Sequence, residues 1–304
     1  MKFHRFYRRL FCITLFGALI GFFLSTEWPF SFFSATVIYD DEVVVSDLAA
    51  QEDSDFPVRS SDQVGIQDLA YPSNAIPGEL VFHFGRRQDY LAFIKVLTNA
   101  GIAPLGQIDE LLAVRISERA LLQINLDQFD ARASYSYRIE RPLPPVEIDP
   151  EALANLRHYG LSARAITGGI VAGQGEGVIV AILDSGIQAH PQFDDVYIES
   201  IDLVGSGVSG HAAAHGTSVA SIITGSEGIA HAAELIVVRV LDDQGLGNSY
   251  DLAKGIVQAV DLGVHIINMS LGVYQDAALI RQAIKYADDR GVIMVAAAGN
   301  DGYN

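Results

Sequence analysis

Gly177-Val-Ile-Val-Ala-Ile-Leu-Asp-Ser-Gly186 is the stretch whose reading decides the fold. Residues 178–183 are a short, unbroken apolar run, the pattern of a strand covered on both faces. The run stops at an acid, Asp184, and Gly186 permits a tight turn directly after it. Three further apolar runs follow at residues 235–241, 264–269 and 292–298. Helical patterns at residues 217–224, 249–262 and 276–290 separate them. Strand and helix in alternation predict an α/β fold, a parallel sheet with helices on both faces. In such sheets chemistry gathers beyond the carboxyl ends of the strands, which is where Asp184 stands.

Upstream of this region the chain divides by composition. Residues 1–26 read as a signal peptide or signal anchor. Lys2, Arg5, Arg8 and Arg9 form a basic head, and residues 10–24 are uncharged and rich in Leu, Ile and Phe. Export follows, with the protein secreted, periplasmic or held at the membrane by this segment, although fifteen residues is short for a span. Residues 27–75 read as a linker, rich in Asp, Glu, Ser and Gln from residue 40 onward.

Residues 76–141 read as a small α+β module. A strand is expected at residues 80–84 after the turn pair Pro77-Gly78. A helix carries Tyr90, Phe93, Ile94 and Leu97 and stops at Gly101. A second strand is expected at residues 111–116, a helix capped by Ser117, and a last strand at residues 135–139. Residues 142–151 form a Pro-rich junction, and residues 152–304 carry the α/β region.

Composition excludes several classes of function. The 304 residues hold 20 basic and 37 acidic side chains, a formal net charge of −17, so no basic stripe is available for nucleic acid. Cys12 is the only cysteine, which rules out an intrachain disulfide and a thiolate metal cluster. Gly173-Gln-Gly175-Glu-Gly177 precedes a strand instead of following one, so it is a turn and not a dinucleotide fingerprint. His211 and His215 have the i, i+4 spacing of a zinc hydrolase, but Ala212 stands where that chemistry needs a glutamate.

Three segments carry chemistry: Asp184-Ser185-Gly186, His215-Gly216-Thr217-Ser218-Val219-Ala220, and Ala297-Ala298-Gly299-Asn300. An acid that fixes an imidazole, an imidazole that takes a hydroxyl proton and an amide that stabilises an oxyanion suit nucleophilic acyl transfer. Each segment alone has a plain structural reading as a turn acceptor, a helix start or a strand end.

In this order, and with His190-Pro191 and Asn268-Met-Ser-Leu-Gly272, the segments resemble the subtilisin-like serine peptidase family from about Gly173 onward. The resemblance implies a subtilisin-like sheet and an Asp-His-Ser triad, with Asp184 the acid, His215 the base and Asn300 the oxyanion-hole donor. It implies that Gly245, Leu246 and Gly247 form the edge that pairs with substrate backbone. Ser270, Leu271 and Gly272 would form the wall of the pocket before the scissile bond. The 76–141 module stands where this family carries an inhibitory propeptide. The implied partners are therefore peptide or protein substrates and the chain's own propeptide.

No cofactor is implied for catalysis. A structural calcium ion is unsupported, because Gln192 stands where the family often has an Asp ligand and the loop at residues 225–230 is short. The family's nucleophile lies in a Gly-Thr-Ser-x-Ala-x-Pro segment that the 304 residues do not contain. Ser218 belongs to the histidine motif and lacks the proline. The expectation is a fragment, inactive by itself, of an exported serine endopeptidase zymogen. The alternative is a catalytically inactive pseudoprotease or binding protein.

Overall fold

The computed structural model describes residues 35–37, 72–126, 128–141, 174–205 and 213–297. The amino-terminal basic and apolar segment, nearly all of the linker, the Pro-rich junction, His211 and Asn300 lie outside the described residues. No helix among the described residues is long and apolar enough to cross a membrane.

Six strands build the main sheet: β1 (Ala35–Val37), β7 (Ile179–Asp184), β8 (Ile198–Asp202), β9 (Glu234–Arg239), β11 (Ile266–Met269) and β13 (Ile293–Ala297), in the order β1-β13-β11-β7-β9-β8. All neighbours are parallel except β1, which pairs antiparallel with β13. The unbroken apolar runs are explained by two covered faces. Ala181, Leu183, Ile236 and Val238 point into one core with Leu252, Ala253, Ile256 and Val257 of α4 (Ser249–Asp261) and Leu279, Ile280 and Ala283 of α5 (Ala278–Asp288). Val180, Ile182, Leu235 and Val237 point the other way, against Ala220 of α3 (Ala214–Ile223) and Phe193. Each strand thus contributes alternate residues to two layers. The architecture is the expected α/β fold. The short strand β8 was not anticipated, because its sequence Ile-Glu-Ser-Ile-Asp is half polar and reads as loop.

The upstream module is a four-stranded antiparallel sheet in the order β3-β4-β2-β5, formed by β2 (Glu79–Phe84), β3 (Gly106–Ile108), β4 (Ala113–Ser117) and β5 (Ala131–Ser134). One face packs Phe82, Phe84, Val114 and Ile116 on Tyr90, Phe93 and Leu97 of α1 (Arg87–Asn99). The other face places Val81, Ile108 and Ala113 in the core shared with α4 and α5. Ser117 precedes α2 (Glu118–Leu121) but makes no side-chain cap hydrogen bond, contrary to expectation. The four-residue helix follows directly on β4, and its first N–H, that of Glu118, donates to the Gly78 carbonyl at 3.0 Å.

His83 lies near the end of β2, 7% exposed, with Nε2 2.8 Å from Ser134 Oγ and its ring against Gln282 of α5. Burial pushes its imidazole down to about 4 from an ordinary 6.5. The unfolded chain therefore takes up the proton first, and folding stability falls as pH drops from about 6.5 to about 4, by up to about 3 kcal/mol. The unfolding free energy from urea titration should be about 2 kcal/mol lower at pH 5 than at pH 7.5 from this contribution, and His83→Gln should flatten the slope.

Candidate active site

Asp184 ends β7, and its carbonyl accepts from the Val240 and Leu241 N–H groups, which continue the ladder with the neighbouring strand. Its carboxylate is fully buried. It accepts from Ser185 N–H at 2.7 Å, and His215 Nδ1 lies 2.8 Å from Oδ1 and 2.9 Å from Oδ2. With Nδ1–H spent on a buried carboxylate, the tautomer is set and Nε2 is left as an acceptor. The imidazole is partly open to solvent, with 27% of its side chain exposed.

Two glycines make this contact sterically feasible. Gly186 has φ +100°, a conformation that L side chains rarely adopt. Gly216 lies so close to the turn that a Cβ there would fall 2.2 Å from the Gly186 carbonyl oxygen. Its N–H donates to Ser185 Oγ at 3.3 Å. Thr217 Oγ1 donates to the Ala213 carbonyl and accepts from Gln188 N–H, joining α3 to the loop after β7. Ser218 donates its hydroxyl back to the Ala214 carbonyl at 2.8 Å, so that proton is engaged within its own helix. Gln192, at the position the resemblance linked to calcium, donates its amide to the Ser221 and Thr224 carbonyls at the end of α3.

Arg239 ends β9 in register with Asp184 and Asp202 and is buried. It pairs with Asp202 at 3.2 Å and Asp243 at 2.7 Å. Burial pushes the Asp202 carboxyl up, but the Gly205 and Val204 N–H groups and Arg239 outweigh it and hold the carboxyl below its usual range. A charge in the run 235–241 was not expected to sit inside the sheet. The acids at positions 202 and 243 were the available signal.

The segment expected as the module's last strand forms β6 (Arg138–Glu140) and leaves the module's sheet. It lies between β10 (Leu246–Asn248) and β12 (Gly272–Val273), antiparallel to both. Ile139 stands opposite Gly247 on one side and Val273 on the other, and Glu140 stands opposite Leu246 and Gly272. Arg141 N–H donates to the Gly245 carbonyl at 3.0 Å. Ile139 is fully buried in the main core, while its neighbours on the strand are not. A Cβ at Gly247 would lie 2.1 Å from the Val240 carbonyl oxygen and 3.0 Å from Ile139 Cγ1, so only glycine lets the two backbones approach. Ser270 accepts from the Asn268 amide at 3.0 Å, and Leu271 is buried beside it. The edges at 245–247 and 270–272 thus face each other across a strand of this same chain. The sequence missed this pairing because alternation shows that a strand forms, not which sheet receives it.

These observations define a doubly covered α/β domain with an acid–imidazole pair at the carboxyl edge of its sheet. Residues 175–304 match the model of the subtilase family. It is 38% identical over 134 residues to Subtilisin Savinase of Lederbergia lenta, covering 42% of this chain and 49% of that protein. It is 36% identical over 138 residues to Thermitase of Thermoactinomyces vulgaris, covering 42% of this chain and 50% of that protein. The chain thus spans about half the length of these curated relatives. Fervidolysin from Fervidobacterium pennivorans, described as a keratinolytic enzyme related to subtilisin, matches with a TM-score of 0.58 at 20% identity. That match covers 76% of this chain and 41% of the other. At that identity the likeness is one of fold, and the fold is subtilisin-like.

Proposed function

We propose that the protein is a subtilisin-like serine endopeptidase, made as an exported zymogen whose 76–141 module fills the substrate cleft. The observation that carries this reading is the buried Asp184 carboxylate on His215 Nδ1, which leaves Nε2 free to accept a proton. Asp184 orients the imidazole. His215 takes the proton of a serine hydroxyl as that oxygen attacks the substrate carbonyl, then returns it to the leaving amine. Asn300 donates to the oxyanion. The serine is that of the family's Gly-Thr-Ser-x-Ala-x-Pro segment, which these 304 residues do not contain. No cofactor takes part in this scheme.

Strand β6 supports the zymogen half of the proposal. Substrates that add a strand between 245–247 and 270–272 would occupy the place that Arg138–Glu140 holds. Ile139→Glu should loosen the module, because a buried carboxylate replaces a fully buried aliphatic side chain. Inhibition by the module is expected to weaken roughly a hundredfold, read as the inhibition constant at neutral pH.

The reading is tested on the complete gene product. After the module is removed, a fluorophosphonate should label one serine, and a denatured protein substrate should be cleaved. A folded product with neither property would overturn the reading in favour of a binding protein.

A further inference from the structure

Arg115 of β4 crosses from the module to the first turn of α4. Its guanidinium carbon stands 4.4 Å above the centre of the Tyr250 ring. One terminal nitrogen lies 3.5 Å from Asp251 Oδ1, and the other is 3.4 Å from Asn248 Oδ1 and 3.8 Å from Glu79 Oε1. The peptidase domain therefore supplies the ring and the two nearer oxygens, and the module supplies only the more distant carboxylate. Burial pushes that Glu79 carboxyl up, with Arg115 pulling it down more weakly.

The three domain groups are built into α4. Asn248 is its cap: Oδ1 accepts from Asp251 N–H at 2.8 Å and the amide donates to Asp251 Oδ2 at 2.6 Å. This leaves Oδ1 of Asp251 toward Arg115. Tyr250 is 1% exposed, and the module makes room for it at Gly106, where a Cβ would lie 2.7 Å from the ring. An aromatic face, a carboxylate and an amide oxygen held by one helix turn are what a planar, five-donor cation needs. The turn follows directly on β10, the edge on which an added strand would pair.

We propose that Asn248, Tyr250 and Asp251 form a guanidinium-binding site of the peptidase domain, at the end of β10 beside the cleft. It is taken by Arg115 in the intact chain and open to an arginine of another peptide when the module leaves. Only the last clause rests on the zymogen reading. The module is then held at two points, by β6 in the cleft and by Arg115 on α4, and release of one leaves the other as a tether.

The test is chemical rescue in the full chain. Arg115→Ala should lower the thermal midpoint by about 3–6 °C and speed amide exchange in the first turn of α4 about tenfold. Millimolar ethylguanidinium should restore both, and ethylammonium, equally charged but without the planar fork, should not. In the double variant Arg115→Ala, Asp251→Asn, rescue should be lost. If Arg115→Ala does not fold, Arg115→Met keeps the apolar stem and takes the same test. An N-acetyl-arginine amide should bind Arg115→Ala and leave the wild-type chain unchanged, which separates a foreign arginine from the resident one. No rescue, or equal rescue by both cations, would overturn the site. Because no hydrolysis is read, either result leaves the peptidase proposal standing.

Discussion

On the proposed serine-peptidase reading, Asp184→Asn, made in a form of the protein that includes a serine segment, is expected to lower kcat for peptide hydrolysis about 10⁴-fold with the fold intact. The direction follows from two hydrogen bonds. Ser185 N–H points at Oδ1 from 2.7 Å and requires an acceptor there. The asparagine must therefore turn its carbonyl oxygen to Ser185 and its NH₂ toward His215 Nδ1. Facing a donor, Nδ1 has to accept, and the ring proton moves to Nε2, which can then no longer take the hydroxyl proton. Steady-state kinetics should show the loss in kcat with KM little changed. Imidazole NMR should show the proton on Nε2. Activity within about tenfold of wild type would refute the role given to Asp184. His215→Ala should cost at least as much, since it removes the base itself.

Gly216→Ala should be among the most damaging single-methyl changes in the domain. The added carbon would lie 2.2 Å from the Gly186 carbonyl oxygen and 3.3 Å from Asp184 Cβ, and the nearer atom is backbone that cannot rotate away. Helix α3 must retreat from β7, and it takes His215 with it. A loss of about 1–3 kcal/mol of stability is expected from overpacking. Displacing the imidazole by even about 1 Å should cost about a hundredfold in kcat. Gly272→Ala is the control, because a Cβ there meets nothing within 4 Å. It should leave stability within about 0.5 kcal/mol. Equal behaviour of the two variants in chemical denaturation would show that the close approach at Gly216 has no bearing on the site.

The sequence by itself determined the α/β architecture. Residues 178–183 and 292–298 are apolar throughout, residues 235–241 and 264–269 are interrupted only by Arg239, His265 and Asn268, and such runs suit strands covered on both faces. The acid at the end of the first run and the histidine near the start of α3 were legible for the same reason, since strand ends and helix starts are marked by abrupt changes of residue type. Ser117 misled because a serine before a helix is a cap only if its hydroxyl reaches a free N–H, a matter of local geometry. Asn300 lies outside the described residues, so its place rests on the motif.

Tertiary structure alone decided the rest. That Asp184 and His215, 31 positions apart, share a proton depends on the packing of α3 on β7 through Gly216. Nothing in Arg138-Ile139-Glu140 says that it pairs with β10 and β12 and not with its own module's sheet, because every strand carries the same backbone donors and acceptors. Arg115 and Tyr250, 135 positions apart by number, meet only when the module lies on α4. A residue's neighbours along the chain set its local conformation, while its partners across the chain are chosen by which surfaces, once folded, fit together.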